Sequence, residues 1–141
     1  MNTFDYEYRV IYGDTDKMGI SYYGNYFRWF EGARTEYLRA VGLPYTECEK
    51  QGIFFPVVET GAKYLAPSTY DDTLVVRTSI SEVGGSSLRF EYRVFNKATG
   101  KLLVTGFSVH VAVGKNMKPV RLPADMRSRV KIFPLLKSKF S

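Results

Sequence analysis

The sequence predicts an α+β domain in which an antiparallel sheet wraps around one long helix. One segment, Asn25 to Val41, repeats its apolar residues at helical spacing. Several other segments alternate apolar and polar residues with a period of two. The last three of these are joined by turns of hairpin length, so successive strands lie side by side.

The first strand runs from Phe4 to Tyr12. Phe4, Tyr6, Tyr8, Val10 and Tyr12 fall on one side, with Asp5, Glu7 and Arg9 on the other, the pattern of a half-buried strand. It delivers the chain to Asp14 and Asp16. In the helix, Tyr26, Phe30, Ala33, Tyr37 and Val41 form one stripe that Phe27, Trp29 and Leu38 widen. Arg28, Glu31, Arg34, Glu36 and Arg39 fill the other positions, Gly42 offers a C-terminal stop and Pro44 blocks continuation. At 1.5 Å per residue this helix is about 25 Å long. Ser21, Gly24 and Asn25 are each acceptable at its N-cap. So many aromatics on one stripe predict the core helix of the domain.

A short helix is expected from Tyr45 to Gln51. Phe54-Phe55-Pro56-Val57-Val58 leads into a strand through about Ala66, which Pro67 ends. Leu74 to Val83 follows, with Leu74, Val76, Thr78 and Ile80 on one face, and breaks at Gly84-Gly85-Ser86-Ser87. Leu88 to Asn96 sets Leu88, Phe90, Tyr92 and Val94 against Arg89, Glu91 and Arg93, then turns at Lys97-Ala98-Thr99-Gly100. Leu102 to Val113 is apolar at Leu103, Phe107, Val109, Val111 and Val113, yet carries Leu102, Val104 and Ala112 on the opposite face. One helix covers one face of a sheet, so a second subunit is expected over part of the other. The tail from Met117 contains Pro119 and Pro123 and one short helix at Ala124 to Val130.

A length of 141 residues and 45% hydrophobic content fit a single domain, residues 1–141, with a basic tail at about 115–141. No apolar run reaches the length of a membrane span, and Met1-Asn2-Thr3-Phe4-Asp5 has no basic region followed by an apolar stretch. The expected location is cytoplasmic, with no integral membrane association. The single cysteine, Cys48, excludes an internal disulfide and a multi-cysteine zinc site. As a nucleophile Cys48 lacks a partner, because the only histidine, His110, is far away in sequence. A lone histidine with scattered carboxylates makes no metal site, and His110 reads as structural. The net charge of +6 favours an anionic partner, with most of the excess after Val113. Nucleic acid is the least favoured, since the tyrosines occupy core-facing positions rather than interleaving with the cations.

Tyr12-Gly13-Asp14-Thr15-Asp16, followed by Gly19-Ile20, Tyr22, Asn25-Tyr26, Glu31 and Arg34-Thr35-Glu36, joins a carboxylate pair to a helix start. A carboxylate offers a nucleophile or a base, and the first helical turn offers unpaired N–H groups at the positive end of the macrodipole. Together these make half an acyl-transfer site. The competing reading is that Asp14 and Asp16 only satisfy loop amides. With the order of elements and Tyr70-Asp71-Asp72 before a strand, this block resembles the hotdog-fold acyl-CoA thioesterases of the 4-hydroxybenzoyl-CoA thioesterase family, including the bacterial members associated with the Tol-Pal system. The likeness extends over nearly the whole chain.

The resemblance implies hydrolysis of an acyl-CoA to free acid and coenzyme A by a homodimer or homotetramer with sites between subunits, and no cofactor beyond the coenzyme A of the substrate. It puts the catalytic carboxylate on Asp16, as nucleophile or general base, and the oxyanion donor on the backbone N–H of Tyr23. Gly19 lets the loop turn tightly. Tyr22 and Asn25 fall among the substrate-binding positions. Glu31 would meet a polar end of the acyl group, or else pair with a neighbouring arginine on the helix surface, and Arg34 reads as structural. Ser86 and Ser87 fall where the family holds the pantetheine arm and nucleotide, and Arg89, Arg127 and Arg129 are candidates for the phosphates. Many Tol-Pal-associated members carry a histidine where Tyr23 stands, whereas the hydroxybenzoyl enzymes accept an aromatic there. A hotdog hydratase needs a histidine–aspartate pair, for which His110 is poorly placed. A non-catalytic acyl-CoA or acyl-carrier binding module would keep the pocket and tolerate loss of Asp16.

Overall fold

The computed structural model describes residues 2–136. Lys137 and Lys139, at the end of the basic tail, lie outside the described residues. The elements in order are β1 (Phe4–Arg9), α1 (Asn25–Ala40), α2 (Tyr45–Lys50), β2 (Val57–Tyr64), β3 (Thr73–Val83), β4 (Ser87–Asn96), β5 (Leu102–Val111) and α3 (Ala124–Arg129). The five strands form one antiparallel sheet in the order β1-β3-β4-β5-β2, and α1 packs along one face of it.

β1 ends three residues before its alternating pattern does. The buried Asp14 carboxylate accepts the Ile11 N–H at 3.0 Å, and Tyr12–Asp14 close into a single 3-10 turn. A side-chain acceptor thus takes over the backbone from the ladder, as aspartate does in turns. β5 likewise stops at Val111, after which Val113 pairs singly with Phe54.

The core is aromatic. Phe30 stacks on Tyr92 with ring centroids 4.2 Å apart, Tyr8 lies 4.9 Å from Trp29, and Phe4 packs on Tyr37. Gly106 makes room for the first of these stacks: a Cβ there would come within 2.5 Å of the Phe30 ring. The register puts Val104, Gly106, Ser108 and His110 opposite Val94, Tyr92, Phe90 and Leu88. α1 therefore covers the more polar face of β5, and the more apolar set, with Phe107 and Val109, faces away. Arg89 lies over the Phe107 ring at 4.2 Å and pairs with Glu91 on that outer face.

Part of the cover expected from a second subunit comes from the chain itself. After α3, Ile132 pairs in parallel with Ile80, and the Glu91 carboxylate accepts the N–H groups of Leu135 and Leu136 at 2.8 and 3.1 Å. Arg127 and Arg129 pin α3 by donating to the carbonyls of Gly84 and Gly42. Among the described residues β2 has no such cover. It is the last strand of the sheet, and Val57, Val58 and Tyr64 are 44%, 58% and 45% exposed along it. Among the described residues no helix is long and apolar enough to cross a membrane.

Candidate active site

The loop from Tyr12 to Gly24 is a narrow hairpin closed by its own backbone. Thr15 bridges Ser21, the Asp16 N–H donates to the Ile20 carbonyl, and the Gly19 N–H donates back to the Asp16 carbonyl. Gly19 has φ +82°, a left-handed conformation that explains a glycine at this tip. Its carbonyl accepts the Thr69 hydroxyl at 2.9 Å, which anchors the hairpin to the segment before β3.

The two carboxylates divide the work. Asp14 is 3% exposed and accepts the Tyr8 hydroxyl at 2.7 Å as well as the Ile11 N–H. Its backbone carbonyl accepts the Tyr22 N–H and the Asn25 side-chain amide, both within 2.8 Å. The loop-satisfying role describes Asp14. Asp16 is only partly buried, and its Oδ1 accepts the Met18 N–H at 2.8 Å. Oδ2 of Asp16 has no protein donor among the described residues.

α1 begins at the N-cap Gly24, whose φ and ψ are already helical, with no side-chain cap. The first-turn N–H groups of Asn25, Tyr26 and Phe27 donate to carbonyls three residues back. Those of Tyr23 and Gly24 have no acceptor among the described residues. Two donors therefore remain at the positive end of the helix, next in the chain to the aspartate hairpin. Beside them is a cavity of about 300 Å³ lined by Ile20, Ser21, Tyr23, Tyr26, Tyr64 and Leu65 among others. Its floor is held by a buried chain in which the Tyr26 hydroxyl meets Ser68 Oγ at 2.8 Å and Ser68 Oγ meets Ser21 Oγ at 2.7 Å. Burial raises the Tyr26 pKa above its ordinary value, so the phenol is un-ionised at neutral pH.

β2 runs against the direction of α1, so a second cavity, of about 250 Å³, opens further along the same helix. Phe27, Phe30, Glu31, Arg34, Val57, Thr60 and Ser108 line it. Beneath it lies a polar chain whose direction is fixed by its ends. Arg34 can only donate, 3.5 Å from the Tyr92 hydroxyl, and the Phe55 carbonyl can only accept, 3.1 Å from His110 Nδ1. Tyr92 thus donates to Ser108 at 2.6 Å, and Ser108 donates to His110 Nε2 at 2.8 Å. Burial lowers the His110 pKa to about 4 and keeps the ring neutral, as this arrangement requires.

The structure gathers Asp16, Gly19, Tyr22, Tyr23 and Asn25 at the start of α1, with the Asn25 amide occupied by Asp14. Glu31 is two turns on, exposed and 3.9 Å from Arg34. Ser86 and Ser87 are not brought to Asp16: they sit at the β3–β4 turn, the far end of a ten-residue strand and roughly 30 Å away along it. Arg89, Arg127 and Arg129 already have protein partners. Tyr64 carries no sequence signal that separates it from a core aromatic, and its place here follows from the direction of β2. No group of three or more His, Cys, Asp or Glu among the described residues could hold a metal ion.

Residues 18–103 match a family model described as the thioesterase superfamily. The chain is 37% identical over 131 residues to acyl-CoA thioesterase YbgC of Haemophilus influenzae, covering 90% of this chain and 93% of that protein. Among solved structures it is similar to the DHNA-CoA thioesterase of Staphylococcus aureus, with TM-score 0.87, 32% identity and coverage of 92% and 89%. It is also similar to an Asp-to-Asn mutant of 4-hydroxybenzoyl-CoA thioesterase in complex with 4-hydroxybenzoyl-CoA, with TM-score 0.84, 26% identity and coverage of 93% and 100%.

Proposed function

The chain belongs to the thioesterase superfamily, and from that premise we propose that it hydrolyses acyl-CoA thioesters with Asp16 as the catalytic carboxylate. The supporting observation is a division of labour: Asp14 is consumed in the loop, whereas Asp16 keeps a free oxygen on a hairpin that leads straight to two unpaired helix amides. The carboxylate takes a proton from the water that attacks the thioester carbonyl, or attacks that carbonyl itself to form an acyl-aspartate anhydride, which water then cleaves to free acid and carboxylate. Either path puts negative charge on the carbonyl oxygen, where the Tyr23 N–H and the helix dipole stabilise it, and expels the coenzyme A thiolate. The acyl group would lie in the groove between α1 and β2, with Glu31 and Arg34 at its polar end. No added cofactor is needed.

The edge of β2, unpaired among the described residues, calls for a second copy. A strand edge with exposed Val57, Val58 and Tyr64 is an association surface. Antiparallel pairing across a two-fold turns the second copy end for end. Its Ser86–Ser87 turn then comes to the Asp16 end of the first, which would let those serines meet the pantetheine arm from the partner side. We place the reaction in the cytoplasm, in keeping with a chain whose only cysteine, Cys48, is a buried free thiol.

The test is release of free thiol from short, long, branched and aromatic acyl-CoA substrates. Turnover of at least one class is expected. Acyl-CoA binding without thiol release would replace the enzyme with a binding module.

A further inference from the structure

The end of β2 is tied to the start of α1 by one hydrogen bond: the Tyr64 hydroxyl donates to the Tyr23 carbonyl at 3.1 Å. Its ring meets those of Tyr23 and Tyr26 edge to face, at 6.1 and 5.6 Å. Burial raises the Tyr64 pKa, so the phenol remains a donor at neutral pH.

The Tyr23 carbonyl and the Gly24 N–H belong to the same peptide group. That group is planar and trans, so its C=O and N–H point in opposite directions. Holding the carbonyl toward Tyr64 and along the helix aims the Gly24 N–H off the helix end, where it has no acceptor among the described residues. A hydrogen bond accepted by the carbonyl also polarises the peptide and strengthens its N–H as a donor. A Cβ at Gly24 would come within 2.9 Å of the ring of Tyr22, an exposed side chain that would have to shift.

We propose that the Gly24 N–H is a second oxyanion donor beside that of Tyr23, and that Tyr64 is the positioning residue that holds this peptide in place. The inference rests on the thioesterase reading above. Two amides within reach of a tetrahedral oxyanion stabilise it better than one, because each offers a separate lone pair a fixed donor.

The experiment compares wild type, Asp16→Asn and Tyr64→Phe in kcat and KM on the best acyl-CoA substrate. It also compares acyl-CoA dissociation constants by calorimetry in Asp16→Asn with and without Tyr64→Phe. The phenylalanine keeps the ring contacts and removes only the hydroxyl. Expected is a fall in kcat of about tenfold, smaller than the 10²–10³ lost with a donor outright, with KM, the dissociation constant and the melting temperature within about twofold or a degree of their parents. Unchanged kcat, or a rise in KM and in the dissociation constant with kcat preserved, would overturn it. If Asp16→Asn also retained full turnover, the catalytic reading itself would fall; if only Tyr64→Phe were silent, the positioning role alone would.

Discussion

At the scale of single residues, the site depends on neighbouring aspartates that do different things. Asp14 holds the hairpin through Tyr8 and Ile11, and Asp16 stays available. Asp14→Asn should therefore act mainly on stability, costing about 1–3 kcal/mol for disturbed buried hydrogen bonds, and thermal unfolding measures it. His110 gives a pH signature. Its folded pKa is depressed to about 4, so it is neutral when folded, whereas the unfolded chain takes up a proton near pH 6.5. Its contribution is complete above pH 6.5 and is lost as pH falls from there toward 4, by on the order of 3 kcal/mol in all. Melting temperatures between pH 7 and 4.5 should fall more steeply in wild type than in His110→Gln. Parallel curves would show that the ring is not held neutral. The carboxylate pair was visible in the sequence and the family resemblance pointed to Asp16; that Asp14 is consumed in the loop was not legible, because it depends on Tyr8 arriving from β1.

At the scale of elements, α1 was legible because its aromatic stripe has a single period, and its observed start at Asn25 agrees with the spacing. The faces of β5 were harder to read. Ser108 and His110 fall on the less apolar face, yet they lie under the helix because Arg34, Tyr92 and the Phe55 carbonyl satisfy them. Such pairing is made between elements and leaves no local pattern. The same limit applies to Tyr64, which reaches the site only through the order of strands in the sheet. Phe30 is fully buried and its ring stacks on Tyr92 of β4, so Phe30→Ala should destabilise by about 3–5 kcal/mol. Gly106→Ala, which pushes a methyl group into the same ring, should cost about 1–3 kcal/mol. Denaturant midpoints at constant slope would check both.

At the scale of the whole molecule, the two parts that the proposed reaction would use lie apart in the described chain. The carboxylate and helix amides lie at one end of the sheet and the Ser86–Ser87 turn at the other, so a turned second copy is the simplest way to unite them. Replacing Val57 and Val58 together by lysine puts charges on the β2 edge. Sedimentation should then give a single-chain mass with loss of turnover. An assembled, active variant would move the interface elsewhere. The +6 charge has a clear origin at this scale: up to Val113 the chain carries twelve basic against thirteen acidic residues, and after it eight against one. The most direct test of the central claim is kcat of Asp16→Asn on the best acyl-CoA substrate, measured by thiol release on folded protein. The account predicts a fall of about 10²–10⁴-fold, as for loss of a reacting base or nucleophile. Turnover within a few-fold of wild type would contradict it and remove Asp16 from the chemistry.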